Sequence, residues 1–488
     1  MGILSDLEPV PVFKYFEKIC SIPHGSGNTE AISNFCVSFA REHGLSFTKD
    51  KNNNVIIWKK GTPGYENSPS VIIQGHLDMV CEKEAGCDID FEKDGLKLQF
   101  QNGIISAKGT TLGGDDGIAV AYALAILESD SIPHPPLEVV FTTDEEIGMT
   151  GAAALDYTPL KSRIMLNIDS EEEGYLLVSC AGGVTVTAHL PVKKEKVPGI
   201  PVTIRLNGLK GGHSGVEINK GRANSNILMG RTLYALSQIF AFNIISVNGG
   251  MKDNAIPRET TAGLIFADGT GIAGVKEYLT KLNQIYAHEY QTTDSSIKLS
   301  LEEGIPGNDG TDIYSAFDRE TTSKAITALV SLPNGIQRMS YDIEGLVQTS
   351  LNLGILKTSD SEIQYNYSVR SSIGTEKEEL MNRIECLIKA LGGTVSYKGN
   401  YPAWEYRKDS PLRSLMAETY EEKYGKSPVI QAIHAGVECG LFVSHLPGLD
   451  CVSYGPDLRN IHTPQESMDA ESVRRTWEYT LEILKRLK

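Results

Sequence analysis

The sequence predicts an α/β protein, a mostly parallel sheet with helices on both faces, interrupted by an inserted α+β unit. Three observations predict it. Short apolar runs alternate with helical segments from about residue 12 to 180, strands and amphipathic helices of a different texture follow from about 183, and the first pattern returns near 403. Strands covered on both faces lose their polar–apolar alternation and read as continuous apolar runs, which marks a parallel sheet between helices.

In order, segments 12–20 and 29–43 carry apolar residues at helical spacing. VIIW (55–58), VIIQG (71–75), LEVVFTT (137–143) and RIMLNID (163–169) predict strands, and the small-residue run IAVAYALAILES (118–129) predicts a helix. In the inserted stretch, VTVTAHL, PVTIRLNG, ETTAGLIFA and IKLSLEEG predict strands, while Val275, Tyr278, Leu279, Leu282 and Ile285 share one helical face. The order strand, strand, helix runs through this stretch twice, breaking near residue 295, without a residue-level repeat. Helix RSLMAETYEEKYG, apolar DCVSYGP and helix ESVRRTWEYTLEILKRL close the chain. The expected organisation is therefore one α/β domain in two segments, 1–182 and 403–488, with an inserted α+β domain at 183–402.

A chain of 488 residues with 41% hydrophobic content can fill two cores. Its 46 basic against 62 acidic residues, a net charge of −16, argue against nucleic acid and anionic membranes as partners. MGILSDLEPVPVFKYF has no basic and apolar leader pattern, and no apolar run reaches about 18 residues. Gly2 invites N-myristoylation, but Asp6 stands where that signal needs Ser or Thr. The eight cysteines form no CxxC pair, so reduced thiols in a cytoplasmic protein are expected; Cys439, in HAGVECGLF, reads as a small buried hydrophobe or a thiol to watch.

Chemistry-bearing residues occur where this pattern places strand ends. His76 and Asp78 lie in VIIQGHLDMV, Asp115 in TLGGDDG, Glu145 and Glu146 in FTTDEEIG, Asp169 in MLNIDSE and His462 in RNIHTPQE. In open α/β sheets, sites form beyond the carboxyl ends of strands, so these separate stretches converge on one crevice. Imidazole and carboxylate are ligands for borderline cations, and a two-metal site needs a bridging carboxylate, terminal ligands for each ion and an unbound base. Each residue also has a plainer reading. A lone HxD is often hydrogen-bonded, Asp115 or Asp116 can cap helix 118–129, Glu145 and Glu146 can face solvent, and Asp169 can sit in a turn before the acidic run Glu171 to Glu173.

The ordered set HxD, GGDDG, DEE, NIDSE and a C-terminal His resembles the M20 metallopeptidase family over essentially the whole chain. TLGGDDG, TTDEEIGMTGA, NIDSEEEG and HAGVECGLF are most similar to its aminoacyl-histidine dipeptidase branch. The resemblance implies two zinc ions per chain, replaceable by cobalt or manganese. Asp115 would bridge them, His76 and Asp169 would complete one site, and Glu146 and His462 the other. It further implies Glu145 as general base and Asp78 as orienter of its neighbours. His213 in GGHSG would stabilise the transition state, and Asn254 in DNAIPRE and Arg370 in YSVRSS would bind substrate. One departure is Asp116, where many relatives carry Lys.

The expected activity, as the resemblance implies it, is hydrolysis of a small unblocked dipeptide, preferably one with C-terminal histidine (carnosine-like), with N-acyl-amino-acid deacylation or tripeptide trimming as alternatives, then a silent metal-binding protein or a structural scaffold. The inserted stretch is about double the family's simple lid, so either one chain covers its own site or a homodimer completes it. His24, His43, His134, His189, His288 and His445 read as structural or exposed, His434 with more reserve.

Overall fold

The computed structural model describes residues 2–267, 271–304 and 313–488. The chain divides into two compact units, one of 1–180, 404–432 and 437–488, the other of 181–403 and 433–436.

The first unit is built on an eight-stranded sheet. Its centre is four parallel neighbours, Leu137–Thr142, Val71–His76, Ile164–Asn167 and Asp450–Ser453. The first two are buried at every residue, which is why both read as unbroken apolar runs. Antiparallel strands flank the parallel centre, Val55–Lys59 and Ser46–Lys49 on one side and Tyr175–Cys180 on the other. The short, half-exposed edge strand SFTK has no apolar run to announce it.

Helix Gly114–Glu128 packs between helix Val10–Cys20 and strand Val71–His76. Apolar residues all round a helix imply burial all round, and Ile118, Val120, Leu124 and Ile126 are fully buried. Each such side chain contributes about 1.5–3 kcal/mol by leaving water. The helix begins at Gly113, whose φ of +66° suits glycine. Neither Asp115 nor Asp116 caps it. Both have non-helical backbone, φ −83°, ψ 104° and φ −117°, ψ 30°, and both carboxylates reach His76, Asp115 at its ring and Asp116 at its backbone N–H.

The second unit carries a nine-stranded sheet that resolves into two halves of the same design. In one half, strand Ile200–Asn207, helix Ser225–Ser237, strands Asn243–Gly249 and Thr260–Phe266, helix Ile272–Glu289 and strand Lys298–Glu303 follow in order. The other half runs through strand Gly182–Pro191, helix Arg319–Ser331, strands Val347–Thr358 and Glu362–Ser371, helix Gly374–Ala390 and strand Thr394–Tyr401. Numbered within each half, the strands lie in the order 4-1-3-2 in both, and the halves join where Gly249 pairs with Leu356. Each is a β-α-β-β-α-β unit of ferredoxin-like type. The whole first half is inserted after the opening strand of the second. The repeat thus breaks after Lys298–Glu303, not near residue 295, and one continuous apolar core runs through both halves.

Among the described residues no helix is long and apolar enough to cross a membrane.

Candidate active site

The parallel strands deliver their side chains to one end of the first unit. His76 is the last residue of its strand, and Glu145 and Glu146 follow Leu137–Thr142 closely. Asp169 follows Ile164–Asn167, and Asp115 opens the buried helix. His462, at φ +60°, comes from the loop after Leu458–Arg459.

His76 Nε2 lies 3.1 Å from Asp115 Oδ1 and 3.6 Å from Asp169 Oδ1. His462 Nε2 lies 3.2 Å from Asp115 Oδ2 and 2.9 Å from Glu146 Oε1. Each carboxylate oxygen of Asp115 therefore faces a different imidazole. Ligand atoms converge within 4.8 Å in three overlapping sets: His76, Asp116 and Asp169; His76, Glu145 and Glu146; and Asp115, Glu146 and His462. Asp116 thus joins a set in which sequence reasoning did not place it. Its Oδ2 accepts the backbone N–H of His76 at 3.1 Å.

These groups fit a cation. Their only cationic partners among the described residues are the two imidazoles, and burying several carboxylates without compensating charge is costly. Glu146 Oε1 is buried and accepts no hydrogen bond despite its approach to His462. Such an orphaned acceptor is what a metal ion satisfies. Glu145 is pushed well above the usual carboxylate range by burial, an effect opposed by His76 and reinforced by Asp169, Glu438 and Glu146. A carboxylate tuned upward is better matched to proton transfer near neutrality.

Asp78 is buried and organises its neighbours. Its Oδ1 accepts the backbone N–H of Glu145 at 3.1 Å, and its Oδ2 accepts that of Glu146 at 3.4 Å and the Ser26 hydroxyl at 2.8 Å. His76 Nδ1 lies 2.9 Å from the Asp78 carbonyl oxygen, which leaves Nε2 directed at Asp115. Asp144, at φ +54°, accepts the backbone N–H of Gly27 at 2.7 Å. The Ser26–Gly27 turn therefore clamps the loop that carries Glu145. Sequence reasoning missed Ser26 and Asp144; the turn residues of HGSGN were the available signal.

Glu438 was missed as well, four residues from His434 and beside the Cys439 that drew notice. It is fully buried, accepts from Gln74 Nε2 and Thr142 Oγ1 at 2.6 Å each, and burial first of all pushes it up to about 8. Cys439 itself is buried in the first turn of helix Cys439–His445, and burial raises its thiol well above the ordinary range. It is an inert core residue.

The second unit holds its own polar cluster. Strand Gly212–His213 pairs with Ala255–Ile256, which sets His213 opposite Ala255, and Ser214 N–H donates to the Asn254 carbonyl at 2.9 Å. The Asn254 side chain is exposed. His213 Nδ1 accepts the backbone N–H of Gly215 at 3.1 Å and of Val216 at 3.2 Å. The hydrogen bonds thus assign the neutral ring's proton to Nε2. Burial, then Arg370, lowers the pKa of His213. Arg370 donates to the Tyr401 hydroxyl at 3.1 Å, while its Nε–H is buried without a partner. His434 is also buried, with Nε2 2.7 Å from Ser350 Oγ, and burial, then Arg370 and His213, hold it down at about 3.

Buried carboxylates and imidazoles gathered beyond parallel strands are the apparatus of a metal-dependent hydrolase. The chain belongs to peptidase family M20/M25/M40, which it matches over residues 72–486; it is a hydrolase of peptide bonds, in a family whose peptidases depend on metal. It is 38% identical, over all of this chain and 99% of the relative, to the cytosol non-specific dipeptidase of Escherichia coli (strain K12). The crystal structure of aminoacylhistidine dipeptidase from Vibrio alginolyticus matches with a TM-score of 0.92 at 36% identity, covering 99% of this chain and 98% of that one. Aminopeptidase PepT from Bacillus cereus, at 16% identity and a TM-score of 0.56 over 99% of both chains, shares the fold.

Proposed function

We propose that the protein is a cytosolic dipeptidase for unblocked dipeptides, including those with C-terminal histidine, and that it works with two zinc ions and a glutamate base. The observation that carries this reading is Asp115, whose two oxygens each face a different imidazole, at 3.1 and 3.2 Å. His76 and Asp169 would hold one ion, Glu146 and His462 the other, and Asp115 both. Ions bound there would acidify the attacking water and polarise the scissile carbonyl.

In this reading Glu145 accepts the proton of the attacking water and returns it to the departing amine. Asp78 keeps both His76 and the Glu145 loop in place through the hydrogen bonds it accepts. His213 donates from Nε2 to the oxyanion. Arg370 clamps the substrate's terminal carboxylate, for which guanidinium geometry is suited; Asn254 assists, and the inserted unit serves as the lid. The names of the relatives support dipeptides as the substrate class and leave the breadth open, one being called non-specific and the other aminoacylhistidine-directed.

A panel of Xaa-His dipeptides, other dipeptides, tripeptides, N-acetyl-amino acids and C-terminal amides, assayed alongside metal content, tests the reading. Cleavage confined to free dipeptides, with about two ions per chain, is expected. Preference for N-acetylated amino acids or longer peptides would overturn it.

A further inference from the structure

We infer that Glu466 is a positioning residue that mounts His462 and Asp115 on a common support and so sets how the Asp115 cluster holds its second cation. The inference rests on the two-ion reading proposed above.

Glu466 is only 3% exposed. Its Oε2 accepts the backbone N–H groups of Leu112 at 2.7 Å and Gly113 at 3.1 Å. Its Oε1 accepts those of Gly114 at 2.8 Å and Asp115 at 3.4 Å. One side chain thereby satisfies the amides that open helix Gly114–Glu128, groups which a helix leaves without internal partners. The approach is close: a Cβ on Gly114 would come within 3.3 Å of Glu466 Oε1 and 2.9 Å of Leu458 Cδ2, so both side chains would have to shift to admit one.

The same short stretch carries His462. Asn460 and His462 both have positive φ, +53° and +60°. Thr463 Oγ1 donates to the Asn460 carbonyl at 2.7 Å, and the backbone N–H of Glu466 donates to the Thr463 carbonyl at 3.0 Å. The turn is therefore self-bonded. Through its imidazole it meets Asp115 Oδ2 at 3.2 Å, and through the Glu466 carboxylate it holds the Asp115 backbone. His462 and Asp115 are 347 residues apart in sequence. The His462 side chain is 45% exposed, and among the described residues its ring pairs only with Asp115 and Glu146 Oε1, so the turn that Glu466 anchors carries much of its placement. Glu466 touches no reacting group; it acts by fixing the distance between two ligands.

The test titrates zinc calorimetrically into chelator-treated wild type, Glu466→Ala and Glu466→Gln, with thermal melts and the visible spectrum of cobalt-loaded samples recorded in parallel. Wild type should take up two ions. Glu466→Ala should fold, bind the first ion, and bind the second about 10- to 100-fold more weakly, with an altered cobalt spectrum at the second equivalent. Glu466→Gln, which keeps one acceptor oxygen, should fall between the two, and it carries the comparison if the alanine variant does not fold. Wild-type affinity for both ions, with only a lowered melting temperature, would show a plain helix cap and overturn the inference. If wild type takes one ion, the variants must weaken that ion, and unchanged affinity again overturns the inference. A wild type that takes up no ion would instead sink the proposed function beneath it.

Discussion

In the first unit the reactive groups stand where parallel strands end, and neighbouring side chains come from stretches hundreds of residues apart. In the second they stand beside antiparallel strands of a duplicated design. The groups also differ in kind. Asp115, Asp116, Glu145, Glu146 and Asp169 with two imidazoles offer electron pairs, and Glu146 Oε1 is left unsatisfied. Around Arg370 the unsatisfied groups include the guanidinium Nε–H and the Ser214 hydroxyl, and both histidines are held neutral. Acceptors in excess suit a cation, and a buried guanidinium N–H without a partner suits an anion. Duplication supplied shape without copying chemistry: Arg370 lies on the third strand of its half, YSVRS, whereas the third strand of the other half reads TTAGLIF.

The comparison breaks most sharply at Asp115. Asp115→Ala should remove both ions and lower kcat/KM by roughly 10⁴-fold or more, while the cluster of the second unit stays folded. Tight binding of two ions by that variant, read by metal analysis after gel filtration, would show that the bridging assignment is wrong.

Arg370→Ala should leave metal content unchanged and lower kcat/KM by about 10- to 150-fold, the loss of a charge-assisted hydrogen bond. Amidating the substrate's C-terminus should hurt wild type comparably and the variant hardly at all, because both changes remove the same contact. Additive losses would place the substrate carboxylate elsewhere.

A smaller effect concerns acid. His434 is held near 3 when folded, by burial first, and takes its proton near 6.5 when unfolded. The unfolded chain then binds more protons, so the stabilisation present above about 6.5 should decline as pH falls toward 3. His434→Asn should flatten that slope in urea melts between pH 7 and 5. An unchanged slope would assign the acid sensitivity to other groups.

The sequence exposed the central strands because burial on both faces leaves VIIQG and LEVVF without polar interruptions, and the carboxylates that follow them stood out against that background. Ser26, Asp144, Glu438 and Glu466 could not be read in the same way. Ser26, Asp144 and Glu466 bond to Asp78 or to backbone amides, and Glu438 to Gln74 and Thr142, groups 52 to 364 residues away; the turn residues of HGSGN mark a turn at Ser26 but no local pattern names any of these distant partners. The duplicated halves were legible as an order of elements only. Insertion of one half after the first strand of the other displaced the boundary that periodicity could locate.

Glu145 is the group on which the proposed hydrolysis depends most directly. Glu145→Gln keeps the shape of the side chain and removes the proton acceptor, so zinc content, turnover of a free Xaa-His dipeptide and the melting curve should be measured on the same preparation. Unchanged zinc, an intact fold and kcat lowered about 10²- to 10⁴-fold are expected of a proton-accepting Glu145. Near-normal turnover would contradict it by placing the base elsewhere, and loss of zinc would show that Glu145 is a ligand in the place given to Glu146.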